Sequence, residues 1–281
     1  MKAKKKYELT SETIKFNGVT LHRIKALKDF SDVKAGDLGG WVEKEDNLSQ
    51  MGDAWIGGDA KVYRNAKVSD NARVFANVQV YGSAKVYDNA EVYDNAILYG
   101  DAIVSYNAKV FGNAKVHGDA MIYGGAMVFG KAKVHGNAVV CDDAWVYDNA
   151  QVYSDARIFG KAVVYGNAEV YDNAEVYDHA MAFGNAEICG NALVCGYAEI
   201  YGDVVVKNKE DYIVFKNFWS SGRYFTWTRS NNMWRVGCFY GTGDELIKKA
   251  YKDSERSGRE YERVVRYVES ILEDEKKGGE L

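Results

Sequence analysis

Ala84-Lys85-Val86-Tyr87-Asp88-Asn89-Ala90-Glu91-Val92-Tyr93-Asp94-Asn95 is the same six-residue phrase written twice. The phrase continues in both directions without an insertion, giving 26 units from Ala54 to Val206 in a chain of 281 residues. Its first position is Ala in 24 of the 26 units, Val78 and Val204 being the exceptions, and its third is Val, Ile or Leu everywhere but at Ala182. A period held over more than half of the chain marks a repeat architecture, in which each unit is too small to bury its own apolar face and depends on its neighbours.

Within a unit, four residues alternate in direction. Ala and Val fall on one side, the variable residue and the aromatic on the other. The Gly/Asp and Asn/Asp pair that follows tolerates left-handed backbone angles and turns the chain. Three such units close a triangular coil of 18 residues, with the Val rows inside and the small Ala beside each corner. Strands stacked roughly 4.8 Å apart over eight to nine coils give a rod of about 40 Å.

An aliphatic residue followed four positions later by Ala, as in Val110 and Ala114, over about residues 51–206, resembles the hexapeptide-repeat left-handed parallel β-helix. That fold serves many bacterial acyltransferases and non-catalytic relatives encoded by bacteria and phages. The resemblance implies a mainly β protein with a left-handed coil, and it commonly implies trimers with rods side by side. It does not select a chemistry, because one scaffold carries many functions.

Composition bounds the rest. The chain has no proline, which suits uninterrupted hydrogen-bonded strands. No apolar run approaches the roughly 20 residues of a membrane span, and the start, Met1-Lys2-Ala3-Lys4-Lys5-Lys6-Tyr7, lacks the apolar stretch of a secretion signal, so a cytoplasmic protein is expected. Cys141, Cys189, Cys195 and Cys238 show no metal-knuckle spacing and read as free thiols. Residues 1–50 and 207–281 each carry net +2, which leaves −8 on the repeat out of a total of −4. Most of that surface repels a phosphate backbone, so nucleic acid is not an expected partner.

The repeat divides the chain into a β-rich cap over residues 1–50, the β-helix over 51–206 and an α+β module over 207–281. In the cap, Tyr7 to Leu27 reads as a hairpin about Asn17-Gly18, and Leu38 and Trp41 are placed over the open end of the rod, where unpaired edges invite aggregation. In the tail, strands are expected over Tyr212–Phe218, Tyr224–Thr228 and Met233–Phe239. Helices are expected over Asp244–Tyr251 and Gly258–Leu272, with the break at Ser257-Gly258.

Residues 18 apart stack, so the fourth positions form three ladders. Two are mixed in character. The third is aromatic throughout: Phe75, Tyr93, Phe111, Phe129, Tyr147, Tyr165, Phe183 and Tyr201, with Met127, Trp145, Val163 and Met181 in the adjoining outward row. Stacked aromatics can simply support neighbouring rungs, but an apolar strip of this length is more than a monomer normally leaves wet. It is therefore expected to be covered, with a second subunit as the leading candidate and a homotrimer as the favoured assembly.

Two further groups bear on chemistry. Acyltransferases of the resembled fold typically use a histidine near an inter-subunit cleft as general base, and His117 and His135 lie one coil apart on one ladder. They stand where other coils place Tyr, no carboxylate partner is visible, and the loop that normally interrupts such repeats has no counterpart. In the tail, Arg223, Tyr224, Trp227, Arg229, Trp234 and Arg235 combine planar cations with aromatic faces, a mixture suited to a phosphate and a base. The sequence thus points to a non-catalytic, oligomeric binding protein without a cofactor. One version sequesters a nucleotide-like signal in the manner of phage anti-defence sponges. The alternatives are a protein-binding scaffold that uses the aromatic face and a hexapeptide-type acyltransferase.

Overall fold

The computed structural model describes residues 5–219 and 221–278. Each hexapeptide supplies a two-residue strand from its second and third positions, as at Lys85–Val86 and Glu91–Val92. Its fifth position takes a left-handed backbone, with φ of 56° at Asp88, 60° at Asp94 and 72° at Gly100. Gly reaches that region without strain, and Asp brings a compensating bond. The Asp88 carboxylate accepts the N–H of Tyr106 one coil on (3.1 Å), and Asp94 accepts that of Gly112 (3.1 Å).

Strands pair in parallel with a constant offset of one coil, as Lys109, Met127 and Trp145 do in succession. Three parallel sheets result, and the one bearing the aromatic ladder has nine strands, so the rod is a solenoid of about nine turns. All first and third positions from Ala54 to Val206 are buried and belong to one continuous column of small and branched aliphatic side chains. Burying each Val contributes roughly 1.5–3 kcal/mol, and the contribution is realised only when the coils above and below are in place.

The parallel ladders give the rod a chemical polarity. The N–H groups of the second and fourth positions point to the following coil, as from Lys61 to Val78 O and from Tyr63 to Val80 O, so the first coil is left with the carbonyls of its first and third positions spare and the last with the N–H groups of its second and fourth. The cap supplies donors. A cap strand, Leu38–Val42, pairs with Lys61–Val62 on one sheet, and Trp41 N–H reaches Ala60 O at 2.8 Å. On the second sheet the Asn47 amide donates to Ala66 O (2.8 Å), and on the third the buried Lys6 Nζ donates to Ala54 O (2.9 Å). The tail supplies acceptors at the other end. Tyr212 Oη accepts Cys195 N–H (3.2 Å), Thr226 Oγ1 accepts Glu199 N–H (2.9 Å) and Ser230 Oγ accepts Val205 N–H (2.9 Å). Ammonium and amide groups close one end and hydroxyls the other because a buried backbone group without a partner costs about 1–3 kcal/mol.

The cap hairpin joins Tyr7–Phe16 to Val19–Ala26, turning at Asn17 (φ 46°) and Gly18 (φ 81°). Beneath it Tyr7, Ile24 and Val42 plug the rod. Leu38, expected to share that task, is 53% exposed. Trp41 instead lies on the outer side, packed with Leu21 and Tyr63 at the foot of a ladder, because strand alternation gives the inward place to Val42.

The tail is a four-stranded antiparallel meander, Tyr212–Lys216, Tyr224–Thr228, Met233–Val236 and Phe239–Gly241, followed by helices α1, Gly243–Asp253, and α2, Glu255–Gly278. The single strand expected over Met233–Phe239 is a hairpin, since Gly237 adopts φ 58° and reverses the chain. The helices separate at extended Ser254 rather than at Ser257-Gly258. Gly258 lies inside α2, where the Tyr251 ring approaches so closely that an added Cβ would meet it at 2.2 Å. One side of the sheet packs Phe225, Trp227, Trp234 and Val236 under the helices, while Tyr212 and Val214 on the other side meet the rod.

Candidate functional site

Along the aromatic face the rings follow the strand spacing, with centroids 4.7–5.2 Å apart and nearly parallel planes from Phe75 to Phe183. Such ladders are a direct product of the 18-residue register, and each ring shields its neighbours' flanks. The chain itself covers the far end of the face and meets the near end at Trp55 and Arg73, while the first ring, Phe75, stays 39% exposed. At the start Phe30 of the cap meets Trp55 edge-on (5.5 Å), and Asp32 pairs with Arg73. At the far end the Arg235 guanidinium lies over Phe183 (5.4 Å) and Tyr201 (5.0 Å), held by Glu199 at 3.0 Å. Phe183 is buried as a result.

The middle is bare. Tyr93, Phe111, Phe129, Tyr147 and Tyr165 are partly exposed, and Met127, Val163 and Met181 stand beside them in the same condition. Trp145 projects from the centre at 43% exposure, set edge-on to Phe129 (6.4 Å). The corner alongside, with Gly112, Gly130 and Gly166 and the polar Asn149 and Asn167, forms an open groove parallel to the strip.

His117 and His135 stack at 4.7 Å with planes 2° apart, in a continuous column with Tyr99 and Tyr153. Both imidazoles are held below the ordinary histidine range, first by desolvation; for His117 the neighbours His135, Lys115 and Lys133 act in the same direction, and for His135 Lys133 does. Neutral rings of this kind can accept a proton. A general base also needs an orienting partner, and the nearest visible carboxylate bond, Glu169 to Tyr153 Oη (3.0 Å), serves the tyrosine. It helps to push the Tyr153 hydroxyl up to about 12, behind burial as the larger cause. Among the described residues no group of three or more His, Cys, Asp and Glu is placed to hold a metal, and all four cysteines are free thiols.

The six tail residues do not converge on one site. Trp227 and Trp234 face the helices and are buried in the core of the module, leaving no face open for a ligand to stack on. Alternation decides this, because Trp227 pairs directly with Trp234 across the strands and both side chains fall on the helix side. Arg229 forms a two-point bridge to Glu275 of α2 (2.8 and 3.1 Å). Arg235 lies on the opposite side of the sheet, at the rod. Tyr224 stacks on Tyr197 (4.3 Å), extending a corner column that begins at His179. Arg223 alone lines a small pocket, with Cys238, Lys249 and Tyr261. The arginine-aromatic arrangement that covers the rod, Arg235 over Phe183 and Tyr201, joins residues too distant to be paired by spacing.

Comparison with known proteins supports the architecture. The family described as YdcK beta solenoid repeat matches residues 66–82. The uncharacterized acetyltransferase YdcK of Escherichia coli (strain K12) is 40% identical over 60 residues, which is 18% of this chain and 18% of that protein. The chain thus spans less than a fifth of that curated relative. Among the described residues no helix is long and apolar enough to cross a membrane.

Proposed function

We propose that the chain is a non-catalytic, oligomeric binding protein, whose rod packs against further copies of itself through the aromatic face. The observation that carries this reading is the bare stretch of that face, Met127, Trp145 and Val163 beside Phe129, Tyr147 and Tyr165, next to a far end that the chain covers with its own tail. Exposed apolar surface of this extent favours burial. An identical rod has the same rung spacing, so its rings and methionines meet this strip in register along its whole length, which an unrelated surface does not offer. A trimer with three such faces turned to a common axis is the favoured form. Native mass spectrometry of wild type and Trp145→Glu tests it. The expected result is an oligomer that becomes a folded monomer in the variant; a monomeric wild type at micromolar concentration refutes it.

A sponge for a nucleotide-like ligand, with its anti-defence role in a bacterial host, draws less support, since Trp227 and Trp234 are buried and Arg229 and Arg235 are already paired. Acyl transfer is the second reading. It is favoured by the printed name of the partial relative and by the neutral His117–His135 pair. Turnover of an acyl-coenzyme A that is lost in His117→Ala and His135→Ala would establish it in place of the binding role.

A further inference from the structure

The chain blunts nearly every sheet edge it presents. The rod's ends are closed by Lys6, Asn47, Tyr212, Thr226 and Ser230 as described. The outer cap strand, Tyr7–Phe16, is interrupted by a register shift between Leu9 and Thr13 and carries Glu8, Glu12 and Lys15. The last tail strand, Phe239–Gly241, is only three residues long. These are the usual devices that keep an edge from recruiting another strand.

Tyr212–Lys216 is five residues long, has no bulge and carries a charge only at its last position, Lys216. It is the first strand of the tail sheet and pairs on one side only, with Tyr224–Thr228. The bonds from Arg229 N–H to Asp211 O (2.8 Å) and from Asn217 N–H to Arg223 O (2.7 Å) fix the phase, so odd-numbered residues turn their backbone groups inward. The N–H and C=O groups of Tyr212, Val214 and Lys216 therefore point away from the sheet, and no backbone partner meets them among the described residues. Four of the five side chains, Tyr-Ile-Val-Phe, are uncharged, and the strand has no bulge.

A groove runs beside this edge, lined by Tyr197, Lys209, Ile213, Val214 and Tyr224. Four of the chain's exposed large apolar residues cluster around the strand: Leu193 and Tyr197 on the rod, Phe218 just past the strand's end, and Tyr267 of α2, which meets Phe215 edge-on at 6.0 Å. Lys209 lines the groove, its ammonium 3.7 Å from the exposed Glu210 carboxylate, and Lys216 at the end of the strand lies over the Tyr224 ring (5.6 Å); both lysines are exposed, in contrast to the acidic rod.

We infer that the Tyr212–Lys216 edge is a docking site for an extended polypeptide segment of a partner protein, apolar at alternate positions and acidic at its flanks, which adds to the tail sheet as a fifth strand. Main-chain bonds to Tyr212, Val214 and Lys216 hold the segment. Alternate side chains fall toward Leu193 and Tyr197 on one side and toward Tyr267 on the other, and its acidic flanks meet Lys209 and Lys216. The site is separate from the aromatic face, so either can fail without the other.

The test uses the full chain and fluorescent octapeptides of alternating Val and Tyr flanked by Glu, with a Lys-flanked set and a set N-methylated at alternate residues. Fluorescence anisotropy is expected to show saturable binding of the Glu-flanked peptide, at least tenfold weaker for the Lys-flanked and N-methylated forms. In hydrogen exchange, the amides of Val214 and Lys216 should exchange rapidly in the free protein and become protected on binding. Val214→Pro, which removes an outward N–H and no bond of the sheet, should lower affinity at least tenfold, and Lys209→Glu/Lys216→Glu should reverse the charge preference. Equal binding of the N-methylated peptide overturns the inference, as does the absence of saturable binding. A concentration-dependent dimer that disappears in Val214→Pro, with no peptide bound, assigns the edge to a second copy and overturns it too.

Discussion

Replacing Lys6 by methionine isolates the most unusual ionisable group of the molecule. Its ammonium is buried at the start of the rod and donates to the carbonyls of Met51 (3.4 Å), Gly52 (3.2 Å) and Ala54 (2.9 Å). Desolvation outweighs the attraction of Asp53 and lowers its pKa from 10.5 to about 8. Between those two values the unfolded chain keeps a proton that the folded chain has released. Stability therefore rises with pH across this window, by about 1.4 kcal/mol per pH unit at full slope. Because the rise begins only near pH 8, the gain between about pH 7.5 and 9.5 is about 2 kcal/mol. Cys141 and several tyrosines, among them Tyr7, Tyr153 and Tyr165, all raised first by burial, work in the opposite sense at the upper end of the range, so the quantity to measure is the difference between wild type and variant. Urea unfolding followed by the fluorescence of Trp41 and Trp55, at constant ionic strength and protein concentration, provides it. Lys6→Met should be the less stable protein at high pH, having lost the donor to Ala54 O, and should lack the rise of about 2 kcal/mol. A variant that shows the same pH dependence as wild type, or a wild-type-minus-variant difference that falls between these pH values, refutes the assignment of a desolvated ammonium to this end of the rod.

Thr226→Val should cost about 1–3 kcal/mol in thermal or urea unfolding, because the Glu199 N–H at the closed end of the rod loses its acceptor while the shape is preserved; an unchanged stability would mean that this end is not sealed by hydroxyls. For the histidine pair, the folded state holds both imidazoles below the ordinary range, so the unfolded chain takes up protons first as pH falls. Wild type should consequently lose stability from about pH 7 to 5 relative to His117→Tyr/His135→Tyr, whose rings continue the column of Tyr99 and Tyr153, and parallel pH profiles of the two proteins would contradict this. Val128→Ala should lower stability by roughly 1.5–3 kcal/mol, the value of the buried side chain, measured by the same unfolding curves. The effect should be felt by coils on both sides, seen as faster amide exchange at Val110 and Val146, whereas loss confined to one coil would argue against nearest-neighbour coupling.

The repeat, the corners and the ladders were legible because they depend on short-range chemistry with a fixed period. Val110 is inward and Phe111 outward by alternation alone, and Asp94 or Gly112 at a corner announces its own backbone angle. Alternation is silent where a residue's side is set by which surface the element meets. Leu38 and Trp41 both read as covers for the rod's open end, but that end belongs to Tyr7, Ile24 and Val42. Trp227 and Trp234 read as ligand platforms in the string of letters, and the helices that bury them lie at the far end of the sequence.

What the sequence by itself determined is the solenoid, with its apolar column, its acidic surface and an aromatic face unlike the other two, since each follows from residues six or eighteen positions apart repeating one local conformation. Only the tertiary structure decided how that solenoid ends. The pairing of Lys6 with Ala54, of Thr226 with Glu199, and of Arg235 with Phe183 and Tyr201 joins segments of unrelated pattern, and no period connects them. The same holds for the one apolar edge left open, Tyr212–Lys216, because whether a strand is central or terminal is fixed by what packs beside it. Periodic contacts repeat and so can be read from a line of letters, whereas the contacts that terminate a repeat occur once and depend on where the chain returns.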